Sequence, residues 1–209
     1  MDGANVLEAV RASKQVELQR LGSGKALVAE TEATLNREEV LAAAARAEAR
    51  AAATFEAWAD DEDDDTAREA FEQVAATERD HYTRVVGILG ADIEAEAGPL
   101  HDHLRGLSGT PERVGAGLIG RALAADGTLL QTVNFFVNNA KESTADVFRE
   151  LRADTEEIVA LGVETLDAVC ESDDDYDRAR EAAEETIALI YEEYAATLEG
   201  LGLDPKPTC

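Results

Sequence analysis

The chain has 209 residues, 45 acidic and 19 basic, for a net charge of −26. Such a surface repels phosphate backbones and anionic headgroups, so neither a nucleic-acid nor a membrane partner is expected. Lysine occurs only at positions 14, 25, 141 and 206, and an acidic coat this poor in lysine reads as adaptation to high salt, where screening removes self-repulsion.

Alanine, leucine and glutamate dominate and proline is rare, which predicts an all-α chain. Asn5 to Leu21 reads as a first helix, ended by Gly22-Ser23-Gly24. Residues 25–36 leave helix, strand and loop open. Asn36 can cap a long helix from Arg37 to about Asp60, with Glu38 and Glu39 in its first turn. The run Asp60 to Asp65 is an acidic turn, and Thr66 starts a second long helix that ends near Gly87–Gly90. Residues 91–109, with Gly98-Pro99, form a crossover linker. Thr110-Pro111-Glu112 opens a third element, interrupted at Asp126-Gly127 and resumed through Leu129–Asn139. A fourth helix runs from about Glu142 to Val169. The acidic turn Ser172–Asp175 precedes a fifth, to about Leu201, and a short tail follows.

This order suits a four-helix bundle with one long crossover connection. Residues 1–36 are expected to pack on it as an N-terminal helix and connector. Residues 37–203 make the bundle and its fifth, C-terminal helix, and 204–209 the tail. Gly127 to Ala140 carries no formal charge, as befits a central helix. The two cysteines, Cys170 and Cys209, are too few for a disulfide scaffold or a CxxC metal knuckle. The N-terminus MDGANVLEAV lacks a basic n-region, and no apolar run approaches the roughly 18 residues of a spanning helix. A soluble cytoplasmic chain is expected, with a homodimer as its oligomeric state.

The chemistry lies in the stretch Thr77-Glu78-Arg79-Asp80-His81-Tyr82. At about 100° per residue, Phe71, Val74, Ala75, Tyr82, Val85, Val86 and Leu89 share one face. Glu78 falls near the centre of that apolar face and His81 at its edge. A carboxylate pointed into a core is costly unless a cation, a proton or hydrogen bonds compensate it. On the preceding helix Glu48 borders the stripe of Val40, Ala44, Ala47, Ala51, Phe55 and Trp58, while Glu56 points away. Glu48, Glu78 and His81 thus offer carboxylate oxygens and an imidazole nitrogen toward one interior, a set suited to iron, manganese or zinc.

A Glu on one long helix, an ExxH on the next and a crossover to a second pair resemble the rubrerythrin-like branch of the ferritin-like superfamily. The matching residues are Ala47-Glu48-Ala49-Arg50 with Phe55, then Phe71-Glu72, then Glu78-Arg79-Asp80-His81, and the resemblance covers roughly residues 37–170. It implies a ferritin-like bundle, iron as cofactor, and peroxide or oxygen reduction or iron handling. The second half departs from the pattern. With Phe71 set against Phe148, Glu78 matches Thr155 and His81 matches Ile158, so no second ExxH occurs. The third helix offers only Gln131, Asn134 or Asp126. The paired CxxC motifs of a rubredoxin module are missing too.

Three accounts of Glu78 follow. Glu48, Glu78 and His81 hold one ion; or an interior arginine, Arg121 or Arg152, replaces it in a metal-free interaction protein; or Glu78 carries a proton. Secondary features are read as structural. His101 and His103 belong to a solvated linker, Tyr82, Tyr191 and Tyr194 are core aromatics, and Trp58 is packing. Asp63–Asp65 and Asp173–Asp175 are solvated turns, and Cys209 is an accessible thiol.

Overall fold

The computed structural model describes residues 1–206, and within them every regular element is helical. The N-terminal segment forms α1 (Gly3–Ser13), α2 (Gln15–Leu21) and α3 (Ala26–Glu30). Two long helices follow, α4 (Arg37–Asp61) and α5 (Asp65–Leu89), then the short α6 (Pro99–Gly106). α7 (Thr110–Val114) runs through a π-helical segment (Gly115–Arg121) into α8 (Ala122–Asn138), and α9 (Glu142–Val169) and α10 (Asp173–Gly200) complete the chain. None of the described helices is long and apolar enough to cross a membrane.

The boundaries have local causes. Asn36 Oδ1 accepts from the Glu39 N–H at 2.8 Å to start α4, and Asp64 Oδ1 accepts from Ala67 at 2.9 Å to start α5. Gly90, with φ of 83°, ends α5 in the left-handed conformation that glycine adopts without strain. Ser172 and Asp175 form a capping box at α10.

α4 and α5 lie against each other along their length, α9 packs on both α5 and α8, and α10 covers α7 and the π segment. This is a helical bundle whose apolar interior is split in two. One core contains Phe55, Trp58 and Phe71, with Trp58 centred 5.5 Å from Phe55 and 5.4 Å from Phe71. The other contains Leu41, Val85 and Phe136, with Phe136 stacked on Phe148 at 5.5 Å. Along each of α4, α5 and α9 the two cores meet at a polar position: Glu48, then Glu78 and His81, then Thr155. Arg121 enters the same layer from the end of the π segment.

Three expectations need correction. The helix expected over Asn5–Leu21 breaks at Lys14, which lets α1 pack on α9 and α10 while α2 turns to α8 and α10. The crossover linker contains a helix, α6, with Pro99 at its first position. The third helix is not interrupted at Asp126-Gly127. Gly127 instead permits close approach, since a Cβ there would lie 2.8 Å from Gly22 Cα. The irregularity lies upstream, where Gly115 and Gly120 bring α10 so near that a Cβ on either would strike a carbonyl oxygen, of Ala179 or Ala183.

The acidic run at residues 60–65 is not wholly solvated. Glu62 is buried and takes Arg113 Nη1 on Oε2 at 3.1 Å and the Thr110 hydroxyl on Oε1 at 2.7 Å. Arg113 also donates to Asp61 Oδ2 at 2.7 Å and to the Leu107 carbonyl at 2.9 Å. This pair ties the α4–α5 turn to the start of α7. Cys209 lies outside the described residues. Arg113→Ala is expected to lower the unfolding free energy by about 3–5 kcal/mol, because it strands a buried carboxylate. Arg149→Ala, facing Glu142 and Asp146 at the surface, should leave the midpoint of urea unfolding nearly unchanged, whereas Arg113→Ala should lower it markedly.

Candidate metal centre

The polar layer brings Glu48, Glu78 and His81 together. Among the described residues they are the one group of three His, Cys, Asp or Glu side chains whose ligand atoms all lie within 4.8 Å of one another. α4 supplies Glu48 and α5 supplies Glu78 and His81, three residues apart and therefore on one face. All three are buried, Glu48 more fully than a border position implies.

Both ring nitrogens of His81 face carboxylates. Nδ1 lies 3.6 Å from Glu48 Oε2 and 3.7 Å from Glu78 Oε2, too long for hydrogen bonds. Nε2 lies 3.0 Å from Asp154 Oδ2 on α9. Sequence reasoning missed Asp154, whose side chain is 39% exposed and which sits beside the inward stripe, next to Thr155. It stands three residues after Leu151 and four before Ile158, both buried, and that spacing places it against the stripe.

Arg121 Nη2 donates to Glu78 Oε1, so the two oxygens of Glu78 serve different neighbours. The Arg121 guanidinium also stands 5.2 Å from the centre of the Phe55 ring. Its Nε is buried without a partner. Arg152, the other arginine that the sequence offers, does not enter the layer and pairs with Asp126 at 2.7 Å and Glu156 at 3.2 Å. Gln131 donates to the Gly22 carbonyl at 2.7 Å and Asn134 is exposed. None of Gln131, Asn134 and Asp126 therefore joins the cluster.

His101 departs from the expected solvated linker. α6 buries it against α4, where Nδ1 lies 2.9 Å from the Thr54 hydroxyl. Burial, with Arg121 next in effect, lowers it to about 3, so it is neutral. His103 does not reach the cluster. Tyr82 exchanges hydrogen bonds with the Ile93 backbone at 3.0 and 3.2 Å, fastening the chain after α5.

The two buried acids divide. Burial raises Glu48 to about 8, and the negative charge of Glu78 adds to the effect. Burial also works to raise Glu78, but Arg121 and the neighbouring Glu48 and His81 hold it well below the usual carboxylate range. For His81, burial works downward and is outweighed by the Glu48 and Glu78 carboxylates, which raise it to about 10. Without a metal ion the layer thus keeps Glu78 ionised, His81 charged and Glu48 protonated near neutral pH.

Comparison with protein-family models, curated proteins and solved structures gives no match for this chain. The donor chemistry must therefore speak for itself. Two carboxylates and an imidazole whose far nitrogen meets a third carboxylate form a first-row metal donor set with its usual outer support.

Ion-free protein should lose stability as pH rises. Glu48 is raised from 4.5 to about 8 and His81 from 6.5 to about 10. Their stabilising protons are fully bound below the lower value of each pair and lost through the upper one. Thermal melts in EDTA are expected to fall from pH 6 to pH 10. Glu48→Gln, which has no proton to lose, should flatten the part below about pH 8.

Proposed function

We propose that this protein is a ferritin-like bundle of the rubrerythrin-like kind that holds one divalent first-row ion at Glu48, Glu78 and His81. Iron is the first candidate, with manganese and zinc as alternatives. The observation that carries the reading is the two-sided hold on His81: Nδ1 faces two carboxylates while Nε2 is engaged by Asp154. Neighbouring ligands of a four-coordinate ion with bonds near 2.1 Å lie roughly 3.4 Å apart, close to the 3.6 and 3.7 Å separations at Nδ1.

Glu48 and Glu78 serve as the anionic donors and His81 as the neutral one. Asp154 accepts the Nε2 proton, which turns Nδ1 toward the carboxylates and fixes the tautomer. Arg121 keeps Glu78 ionised from its other oxygen. With Glu48, Glu78 and Asp154 ionised and His81 neutral, three negative charges oppose one arginine. The remainder of two is what a divalent ion neutralises. By resemblance, such an ion supplies peroxide or oxygen reduction, or the bundle handles iron itself. With Thr155 where a second ExxH would stand, the reading is confined to a single ion.

The Arg121–Glu78 pair favours a second reading, in which the guanidinium and two protons satisfy the layer and the bundle acts as a metal-free interaction protein. Metal analysis of protein purified without added metal separates the two. The first expects about one ion per chain in wild type and none in Glu78→Ala or His81→Ala, with Asp154→Asn weakening affinity by about 10–100-fold. Wild type free of metal, and unable to take up Fe(II), Mn(II) or Zn(II), leaves only the second.

A further inference from the structure

Beside the ion cluster lies a cavity of about 140 Å³ whose walls come from α3, α4, α6, α8 and α10. Glu48 and Glu78 line it, and His81 does not. His81 closes the opposite side of the cluster, where its Nε2 meets Asp154 beside a separate cleft between α5 and α9. An ion held by three protein donors keeps at least one further position for an outside ligand. With His81 behind the ion, that position opens on the cavity. Ala47 and Glu30 are the exposed residues of the lining and mark its mouth.

α6 brings a second imidazole to the same space. His101 lines the cavity and is only 6% exposed. Its Nδ1 lies 2.9 Å from the Thr54 hydroxyl on α4, which fixes the ring. Among the described residues no partner meets Nε2, yet that atom, unlike Arg121 Nε, is not sealed from the cavity. An imidazole nitrogen this deep is ordinarily satisfied by protein or by a bound molecule. The charges of Arg121 and Glu78, both on the cavity wall, act on the ring, which places it near the cluster. His101 is nevertheless outside the group whose ligand atoms lie within 4.8 Å of one another. It stands too far off to share the ion as a donor, and close enough to meet something the ion holds.

We propose that His101 is a positioning residue of the ion site, its Nε2 hydrogen-bonding the outer atoms of a small ligand that the ion takes up from the cavity. The ligand is an oxygen or nitrogen donor of a few heavy atoms, with a second polar atom for the imidazole. Leu27, Val40 and Leu129 on the remaining wall keep the space apolar, which strengthens that bond. The inference rests on the single-ion reading and extends it. Glu48, Glu78 and His81 hold the ion, while His101, steadied by Thr54, orients what the ion binds.

The test uses full-length protein loaded with Co(II), whose visible absorption reports the ligands of the ion, and azide as the probe. Wild type is expected to bind about one Co(II) per chain and to answer azide with a saturable spectral change. His101→Leu should keep its Co(II) affinity in chelator competition, yet bind azide about ten-fold more weakly, for want of one hydrogen bond. His101→Gln carries an amide near the place of Nε2 and should recover most of that loss. Thr54→Val keeps the shape without the hydroxyl and should weaken azide several-fold; it carries the test alone if His101→Leu does not melt cooperatively. A Co(II) spectrum that ignores azide overturns the proposal. So does wild-type azide affinity in His101→Leu or Thr54→Val, a His101→Gln no better than His101→Leu, or loss of the Co(II) itself in His101→Leu. Wild type that takes up no Co(II) defeats the single-ion reading as well, whereas a loaded protein indifferent to His101 defeats only the role given to this histidine.

Discussion

The carboxylate of Glu78, shared between Arg121 on one oxygen and His81 beside the other, is the constraint on which the rest of the bundle depends. A buried charge left without partners costs several kcal/mol, of the order of the whole stability of a domain. Its surroundings are accordingly filled by particular side chains from separate elements. α4 contributes Glu48, the π segment Arg121 and α9, through His81, Asp154. The two apolar cores can shift against each other only by disturbing this layer. The layer therefore sets register in the way a buried polar position sets register in a coiled coil.

Arg121 reaches that place because the helix carrying it is irregular. Gly117 leaves room for Trp58 and Phe55, since a Cβ there would lie 2.6 Å from the Trp58 ring. Gly115 and Gly120 let α10 close on the opposite side. Seven residues in π geometry then turn the guanidinium under the Phe55 ring and onto Glu78. A guanidinium suits the place better than an ammonium would. It presents separate donors in a plane, so it can pair with a carboxylate at one edge, lie against an aromatic face and still offer a third donor. Arg113 does the same for Glu62, Asp61 and the Leu107 carbonyl. Besides His81, the buried cations among the described residues are both arginines, in a chain whose few lysines are not part of its core.

What could be read from the chain depended on whether local geometry or tertiary contact decided the position. Glu78 and His81 were legible because a helix fixes the face of each residue, and an acid inside an apolar stripe contradicts its neighbours. The cap at Asn36 was legible for the same reason, being settled within four residues. Asp154 was not, because a stripe is judged by its centre and this acid reaches His81 from the rim. His101 was hidden in a Gly- and Pro-containing stretch whose course over α4 is decided by long-range packing. Glu62 was hidden by its company, five aspartates that read as solvent-facing, until Arg113 arrived from fifty residues away. The π segment left a trace in three glycines within six residues, yet glycine spacing alone does not distinguish a hinge from a close contact.

The division between Glu48 and Glu78 gives the layer its chemical character. Two carboxyls a few ångströms apart in a desolvated layer do not both ionise unless positive charge is supplied. Arg121 touches only Glu78, so Glu78 keeps its charge and Glu48 takes the proton. On the proposed reading, a divalent ion and a pair of protons are alternative ways of neutralising the same layer, and proton and metal concentrations would set which of them occupies it. The oxygen of Glu78 that Arg121 does not hold is already turned toward His81. A proposed ion would therefore not compete with Arg121 for it, because the arginine holds the other side of the carboxylate.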